Sequence, residues 1–253
     1  MKAILLAAGR GSRLDALTDD KPKCMVEFRE KPIIDHILAT MDSCGIHKVS
    51  VVDGYQKNVL REYLSNRPIT FYSNDDYLQT NMVHSLFCAS QEFDDDLIIS
   101  YSDIIYTPAV LQKIVSDTSP ISLVIDKGWQ KLWEYRMDNP LADVETLKLN
   151  ENNEILELGK KPGSLEEIEG QYIGLIKISK DMLGVVHDFY ESLDQSKEYD
   201  GKSFQNMYMT SFFQMILEKV CPLKAVLING GWLEIDTAED LNAYKENDSS
   251  LGL

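Results

Sequence analysis

The chain has 253 residues, of which 44% are hydrophobic and 26% are charged, and these values exclude the disordered, collagen-like and disulfide-scaffold classes. Its 25 basic and 41 acidic residues give a net charge of −16, which argues against a nucleic-acid or anionic-membrane partner, because both require a basic face. No segment reaches the roughly 18 consecutive apolar residues of a membrane span, so we expect a cytoplasmic protein.

The first half of the chain predicts alternating strands and helices. It begins with Lys2–Ala8, a continuous apolar run that is typical of a strand buried on both faces of a parallel sheet. Further strands are predicted at Lys48–Val52, Ile69–Tyr72, Leu97–Tyr101 and Ile121–Ile125. The predicted helices are Pro32–Ser43, Lys57–Leu64, Met82–Glu92 and Pro108–Ser116. Such alternation indicates a doubly wound, mostly parallel, Rossmann-like α/β sheet.

The pattern changes after Gly128. Two apolar segments, Val144–Leu149 and Ile155–Leu158, flank a turn and predict a β-hairpin, and Tyr172–Ile178 predicts a further strand. The rest of the chain predicts helices at Lys180–Leu193 and Phe204–Val220, a strand at Lys224–Ile228 and a helix at Ala238–Tyr244. We therefore expect one domain at 1–245 with an α/β half (1–128), an inserted β-rich lobe (129–178) and a C-terminal part (179–245), followed by a polar tail (246–253).

A glycine loop leaves the first predicted strand directly. Gly9 and Gly11 allow the backbone to turn several N–H groups toward one point, as in phosphate-binding nests. Leu14 stands where a dinucleotide-binding fold has its third glycine, and no Gly-Lys-Ser/Thr follows as in a Walker P-loop. Residues 1–31 carry seven basic and five acidic residues, a surplus of +2 that leaves −18 for the remainder. Because the rest of the chain is so acidic, this local surplus predicts a site for a small phosphorylated ligand.

Two aspartates are candidates for a metal site. Asp103 follows the apolar strand Leu97–Tyr101, and the carboxyl ends of strands are where open α/β sheets bind ligands. Magnesium prefers one or two carboxylates together with substrate phosphates and water. Asp236 lies near the other end of the chain, where it or Thr237 could instead simply cap the helix predicted from Ala238.

These motifs resemble the nucleotidyltransferase superfamily that makes nucleotide sugars and CDP-linked small molecules. The matching elements are Ala-Ala-Gly9-x-Gly11-Ser12-Arg13-Leu14, Pro22-Lys23 and Glu234-Ile-Asp236-Thr-Ala-Glu-Asp240-Leu. The resemblance implies that Arg13 holds the β- and γ-phosphates and that Lys23 contacts the α-phosphate. It also implies that Asp103 and Asp236 bind Mg²⁺, for which Mn²⁺ could substitute, whereas Glu234 and Asp240 are expected to be surface or capping residues. The catalytic set is thus Arg13, Lys23 and Asp103.

The resemblance assigns residues 1–128 to the nucleotide. The stretch from Asn81 to Leu86 resembles the N-x-x-x-S-L element of phosphocholine-type cytidylyltransferases, which implies CTP with Asn81 and Ser85 as contacts. Asn81 is equally a good N-cap. The remaining nucleotide-binding residues implied by the family are Leu6, Ala8, Gly9, Arg10, Gly11, Ser12, Arg13, Lys23 and Asp103.

The inserted lobe at 129–178 is expected to hold the acceptor. The implied acceptor-binding residues are Arg136, Lys160, Lys161 and Tyr172. An aromatic cage in the Trp-rich stretch that begins at Trp129 would suit a quaternary ammonium. A basic cluster of Arg136 with the two lysines would instead suit an acceptor that carries a carboxylate besides its phosphoryl group. The residues leave both alternatives open.

The resemblance covers about residues 1–245 and is greatest to the phosphoglutamine cytidylyltransferases of capsule phosphoramidate synthesis. Aminoethylphosphonate and phosphocholine cytidylyltransferases come next. It implies transfer of CMP from CTP to a small phosphorylated metabolite with release of pyrophosphate. A sugar-1-phosphate nucleotidyltransferase and a nucleotide-sensing regulatory subunit are the alternatives. The expected partners are small-molecule substrates, and a homodimer is left open.

Overall fold

The computed structural model describes residues 1–246, and their side chains up to residue 244. The predicted polar tail therefore lies outside the described residues beyond Glu246. A seven-stranded sheet forms the centre of the molecule, with strands in the order β7-β5-β6-β4-β1-β2-β3. These are β1 (Lys2–Ala7), β2 (Val49–Asp53), β3 (Ile69–Ser73), β4 (Leu97–Tyr101), β5 (Ile121–Asp126), β6 (Gln171–Ile178) and β7 (Lys224–Ile228). Strand β6 is antiparallel to both of its neighbours, and the other neighbouring pairs are parallel. The predicted α/β class is confirmed.

Helices cover both faces of the sheet. They are α1 (Ile33–Ser43), α2 (Lys57–Tyr63), α3 (Met82–Cys88), α4 (Pro108–Ser116), α5 (Trp129–Arg136), α6 (Lys180–Glu191), α7 (Met209–Lys219) and α8 (Ala238–Glu246). Residues of α1, α2, α4, α5 and α8 pack in one core, and residues of α3, α6 and α7 pack in the other. In β1, Leu5 belongs to the first core and Ile4 to the second. Burial on both faces explains why β1 is a continuous apolar run.

The inserted lobe contains less separate β structure than the sequence predicted. Its hairpin is present, with Leu147–Leu149 antiparallel to Ile155–Leu158. The strand predicted at Tyr172–Ile178 is β6 of the main sheet, however, and the Trp-rich stretch forms α5. Two predicted helices are divided: a 3₁₀ turn at Ser90–Glu92 follows α3, and one at Phe204–Asn206 precedes α7.

Short strand pairs outside the main sheet connect its loops. Ile104–Tyr106, directly after β4, pairs antiparallel with Trp232–Glu234, directly after β7. Two further pairs join Glu27–Phe28 to Lys31–Pro32 and Glu198–Tyr199 to Lys202–Ser203. Among the described residues, no helix is long and apolar enough to cross a membrane.

Candidate active site

The loops that carry the predicted motifs lie at one edge of the sheet. Strands β1, β2, β3 and β4 are parallel, so their carboxyl ends meet there. Because β6 is antiparallel to β4, its amino end lies at the same edge. The glycine loop, Asp103 and the start of β6 therefore face one region, which is where open α/β sheets bind ligands.

Gly11 and Lys23 are fitted to each other in the glycine loop. Gly11 has a φ of +71°, and a Cβ at this position would lie 2.7 Å from the Lys23 Cβ. Both the left-handed backbone and the close approach of the lysine therefore require glycine. The Thr18 hydroxyl donates to the Gly11 carbonyl at 3.2 Å and closes the turn. The Lys23 side chain thus packs directly against the loop backbone at Gly11.

Lys23 connects the two predicted aspartates. Its ammonium lies 2.7 Å from Asp103 Oδ2 and also bonds Asp236 Oδ1. Arg13 reaches the other oxygen of Asp236, at 2.8 Å. Lys23 exposes 12% of its side chain and Arg13 exposes 62%, so the lysine is fixed inside the site and the arginine extends from its rim. The structure brings together all four residues of the predicted phosphate and metal site.

The backbone after β7 explains how Asp236 reaches Asp103 across the sequence. The Ile235 N–H donates to the Asp103 carbonyl at 2.9 Å, which continues the short antiparallel pair. Asp240 accepts from the backbone N–H groups of Asp236 and Thr237, at 2.8 and 2.9 Å. Thr237 in turn accepts from the Asp240 N–H at 3.1 Å, so Thr237 is the N-cap of α8 and Asp240 completes the capping box, which leaves the Asp236 carboxylate directed at Lys23.

Glu234 is the third carboxylate of this site. It was expected at the surface or in a cap, but one oxygen each of Asp103, Glu234 and Asp236 lie within 4.8 Å of one another. Asp103 Oδ1 is buried and has no hydrogen-bond partner among the described residues. An unsatisfied buried carboxylate oxygen is costly unless a cation or donor binds it. The three carboxylates therefore fit a divalent cation with oxygen ligands.

The charges of this site perturb one another strongly. Burial opposes the charged form of Lys23, but Asp103 and Asp236 outweigh it and raise the pKa of the ammonium. Burial likewise opposes ionisation of Asp236, yet Lys23 and Arg13 lower the pKa of its carboxyl group. Burial raises the pKa of Glu234 to about 7, against the effect of the nearby Arg136. Lys23 and Asp236 thus hold each other in their charged forms.

Arg136, which the sequence predicted to bind the acceptor, is buried in ion pairs and does not line either cavity of the site. Its side chain is 1% exposed, and it bonds Glu234 at 2.6 Å and Asp240 at 3.0 Å. The guanidinium also lies over the Trp133 ring, 5.1 Å from its centroid. Arg136 is therefore a buried counter-ion of the acidic segment, and a contact with the acceptor stays a prediction. A planar group with several donors suits such multiple carboxylates.

A small cavity of about 80 Å³ lies beside the glycine loop. It is lined by five residues predicted to bind the nucleotide and by four others: Leu6, Ala8, Gly9, Asn81 and Ser85, with Asn74, Tyr77, Thr80 and Met82. The side chain of Asn81 accepts from the Met82 N–H at 2.8 Å, so its capping role is real. Ser85 is buried and accepts from Asn74 Nδ2 at 2.9 Å.

Two other predicted nucleotide residues lie on the outside of the glycine loop. The guanidinium of Arg10 lies over the Tyr55 ring and 3.4 Å from Asp19. Ser12 is exposed at the start of the 3₁₀ turn Ser12–Thr18. They therefore lie apart from the contacts that Lys23 makes with the carboxylates.

A second cavity, of about 190 Å³, opens onto the carboxylates; we call it the acceptor cavity. Its lining includes Arg13, Glu234 and Asp236, and also Tyr172, Glu145 and Thr210. Of the predicted acceptor residues, Tyr172 lies in its wall. Lys160 and Lys161 do not line it: Lys160 exposes 60% of its side chain and pairs with Glu157 at 2.7 Å.

Gly174 shapes the acceptor cavity at the bulge of β6. It has a φ of +84°, and a Cβ there would lie 2.4 Å from the Tyr101 ring. Because Gly174 has no side chain, the Tyr101 ring can approach the backbone of β6 closely. The Tyr101 and Tyr172 rings then meet edge to face, with centroids 5.9 Å apart. A larger cavity of about 590 Å³ lies beyond Trp232, away from Lys23 and Asp103, so size alone does not locate the site.

Comparisons with known proteins agree with this geometry. Residues 3–144 match the model of the MobA-like NTP transferase domain. The chain is 49% identical over 253 residues to the CTP:phosphoglutamine cytidylyltransferase of Campylobacter jejuni, covering 97% of this chain and all of the relative. The chain belongs to the MobA-like NTP transferase family. It is a nucleotidyltransferase.

Two solved structures of other nucleotidyltransferases share this fold. The inositol-1-phosphate CTP transferase of T. maritima aligns with a TM-score of 0.75 and 17% identity, over 100% of this chain and 98% of that one. The CTP:phosphocholine cytidylyltransferase of Streptococcus pneumoniae aligns with a TM-score of 0.73 and 18% identity, over 97% of both chains.

Sequence reasoning missed several residues of this nucleotidyltransferase site. Glu145 carries no motif, and the chain segments that complete the acceptor cavity come from α5, the start of α7 and the strand at Trp232–Glu234. Glu234 gave a usable signal, because it stands two residues before Asp236 on an extended strand. Side chains at such spacing point to the same face of a strand.

Proposed function

We propose that this nucleotidyltransferase is a Mg²⁺-dependent cytidylyltransferase. It transfers CMP from CTP to a small phosphorylated metabolite, phosphoglutamine being favoured, and releases pyrophosphate. The product would be CDP-L-glutamine, made in the cytoplasm for modification of a capsule or another surface polysaccharide. The observation that carries the proposal is the meeting of Lys23 and Arg13 with Asp103 and Asp236 at the glycine loop.

The residues of the site match the chief obstacle of this reaction. An acceptor phosphoryl oxygen must attack the α-phosphorus of CTP, so two polyanions have to approach each other. The acceptor phosphoryl group has a second pKa near ~6 and is largely deprotonated at neutral pH, so no general base is required. Catalysis then depends on positioning and on neutralising charge.

Each cation of the site has a distinct task in this proposal. Lys23 is held against Gly11. When CTP binds, its ammonium would give up its contact with one carboxylate and bind an oxygen of the α-phosphate instead. Arg13 extends from the rim and would bind the β- and γ-phosphates. Asp103 and Asp236, with Glu234, would hold Mg²⁺, which when bound supplies further positive charge to the phosphate oxygens.

The two cavities would hold the two substrates. The cavity beside Gly9 would hold cytosine, with Leu6, Ala8, Asn81 and Ser85 in its wall. The backbone at Arg10, Gly11 and Ser12 would bind the triphosphate. The acceptor cavity opens directly onto Asp236 and Arg13, so an acceptor inside it could present its phosphoryl group at the α-phosphorus.

A product assay tests the proposed function. Pyrophosphate release is measured with each of four NTPs against phosphoglutamine, phosphocholine, 2-aminoethylphosphonate and a hexose 1-phosphate, and the product is identified by mass spectrometry. We expect turnover of CTP with phosphoglutamine. Failure to turn over CTP with any acceptor would contradict the proposal. Turnover of the hexose 1-phosphate would favour a sugar nucleotidyltransferase, and tight CTP binding without product a regulatory subunit.

A further inference from the structure

Glu145 lines the acceptor cavity, and no lysine or arginine among the described side chains pairs with it. Its carboxylate accepts one long hydrogen bond, 3.4 Å from Thr210 Oγ1. Among the side chains of residues 1–244, no ion pair joins it to a lysine or arginine. Burial raises the pKa of its carboxyl group, and the charge of Asp143 adds to the effect. A half-buried carboxylate with so few partners leaves room for a cationic group from a ligand.

The backbone of Glu145 is held in place by Gln171. The Gln171 side-chain amide donates to the Glu145 carbonyl at 2.7 Å and accepts from the Glu145 N–H at 3.3 Å. Gln171 is itself buried at the start of β6. This double contact replaces a strand partner for Glu145 and fixes where its side chain begins. The Glu145 carboxylate therefore extends into the cavity from a backbone position that is held by hydrogen bonds.

Tyr172 supplies an independent sign that a ligand belongs here. It lines the same cavity, and its buried hydroxyl has no partner in good hydrogen-bond geometry among the described residues, its nearest polar neighbour being the Tyr101 hydroxyl. Buried hydroxyl groups in proteins are nearly always satisfied by a protein group, a water or a ligand. Two polar groups of the cavity wall, one charged and one neutral, thus lack full partners.

The charge distribution in the cavity decides which ligand chemistry fits. Arg13 is the one cation among the described lining residues, and it already pairs with Asp236. Asp143 also lines the cavity, where it accepts from the Trp133 indole N–H at 3.1 Å and lies 3.9 Å from the buried Arg136. With Glu145, Glu234 and Asp236 besides Asp143, the cavity lining is thus predominantly anionic. A carboxylate there would be repelled, whereas an ammonium group would be attracted.

We propose that Glu145 binds a protonated amino group of the acceptor and that Tyr172 hydrogen-bonds beside it. Glu145 is then the specificity-determining residue that selects phosphorylated amines over uncharged or purely anionic acceptors. The inference rests on the proposed cytidylyltransferase function and adds the acceptor's chemistry to it. Of the two acceptor chemistries that the sequence left open, a cationic group and a carboxylate, it favours the cationic group.

The test uses matched acceptors that differ in one amino group. One pair is phosphoglutamine and its analogue without the α-amino group, and a second is 2-aminoethyl phosphate and propyl phosphate. Steady-state kinetics are measured with saturating Mg²⁺ and CTP. The wild-type protein is expected to prefer the amine of at least one pair by about 10- to 100-fold in kcat/KM, chiefly through KM, as for a hydrogen bond to a charged group. Equal kcat/KM within both pairs would overturn the inference.

Variants assign the preference to Glu145. Glu145→Gln keeps the shape and removes the charge, so the preference is expected to fall below about 3-fold while the KM for CTP stays unchanged. Glu151→Gln, the same change at an exposed position of the hairpin turn, is the control and keeps the wild-type preference. A preference that survives in Glu145→Gln would contradict the assignment.

The experiment separates this inference from the proposed function. If the wild-type protein turns over CTP but ignores the amino group, the function stands and the inference fails. If none of the acceptors supports turnover of CTP, both the proposed function and the inference fail. The wild-type comparison needs no variant, so a folding defect in Glu145→Gln would not leave the inference without a test. Thermal unfolding and CTP binding of each variant identify such a defect.

Discussion

The nucleotide side and the acceptor side of this active site are built in different ways. On the nucleotide side, Gly11 and Lys23 lie twelve residues apart in one loop and are held together by a steric fit. The acceptor cavity is assembled from distant segments, with Glu145 beside the hairpin, Tyr172 on β6 and Thr210 on α7. The chemistry of a local motif can be recognised from the spacing of its residues in the sequence. The charge of a cavity assembled from distant segments is determined only when the chain folds.

The largest expected effect is on the nucleotide side. Asp236→Asn removes a charge that both Lys23 and Arg13 contact and that would bind Mg²⁺. We expect kcat for pyrophosphate release to fall by about 1,000-fold, because the site loses a preorganised charge. The exposed Asp138→Asn serves as the matched control and keeps full activity. If kcat of the Asp236→Asn enzyme stays within 10-fold of wild type, the nucleotide side does not depend on the charge of Asp236.

The second effect shows whether Arg136 stabilises the fold or binds the acceptor. Arg136→Met leaves Glu234 and Asp240 without their buried counter-ion. We expect the free energy of unfolding in urea to fall by about 3–5 kcal/mol, the usual cost of breaking a buried ion pair. If the protein unfolds as wild type and only the KM for the acceptor rises, Arg136 binds substrate after all.

A smaller effect tests the steric fit of the loop. Gly11→Ala forces a side chain into a left-handed backbone and against Lys23. We expect a loss of stability of about 2 kcal/mol and a KM for CTP about 10-fold higher, since the lysine is displaced from its position. The control is Gly184→Ala in α6, where a Cβ meets nothing within 4 Å. Equal effects of the two substitutions on the KM for CTP would refute the fit.

The smallest effect concerns a residue that the sequence assigned to the acceptor. Lys160 lies outside the acceptor cavity and pairs with Glu157. Lys160→Met is therefore expected to leave the KM for the acceptor within 2-fold of wild type. An increase of 10-fold or more would show that the hairpin closes over the acceptor, and the sequence interpretation would then be correct for Lys160.

The sequence predicted the sheet and the nucleotide side because their signals are local. From Ala3 to Ala7, strand β1 is apolar because both of its faces are buried, and Leu97–Tyr101 and Pro108–Ser116 were predicted with their observed bounds. The two aspartates were predicted to lie together, although the backbone pair that joins them, Ile235 to Asp103, could not be read from spacing.

The acceptor side could not be predicted in the same way. An arginine in an aromatic stretch has the same local sequence whether it faces a ligand or a buried acid. Only the folded chain places Glu234 and Asp240, about 100 residues away, around Arg136. Glu145 is likewise an ordinary strand-flanking residue until Gln171 and Thr210 pack against it. The sign of the cavity's charge therefore depends on tertiary contacts.

We infer that the cation-lined loop and the distant carboxylates form one triphosphate site. Anomalous diffraction from crystals grown with Mn²⁺ and a non-hydrolysable CTP analogue is the sharpest test of this site. We expect a manganese peak at Asp103 and Asp236, with Lys23 released from at least one carboxylate and bonded to the α-phosphate. A nucleotide bound elsewhere, or manganese away from both aspartates, would contradict it.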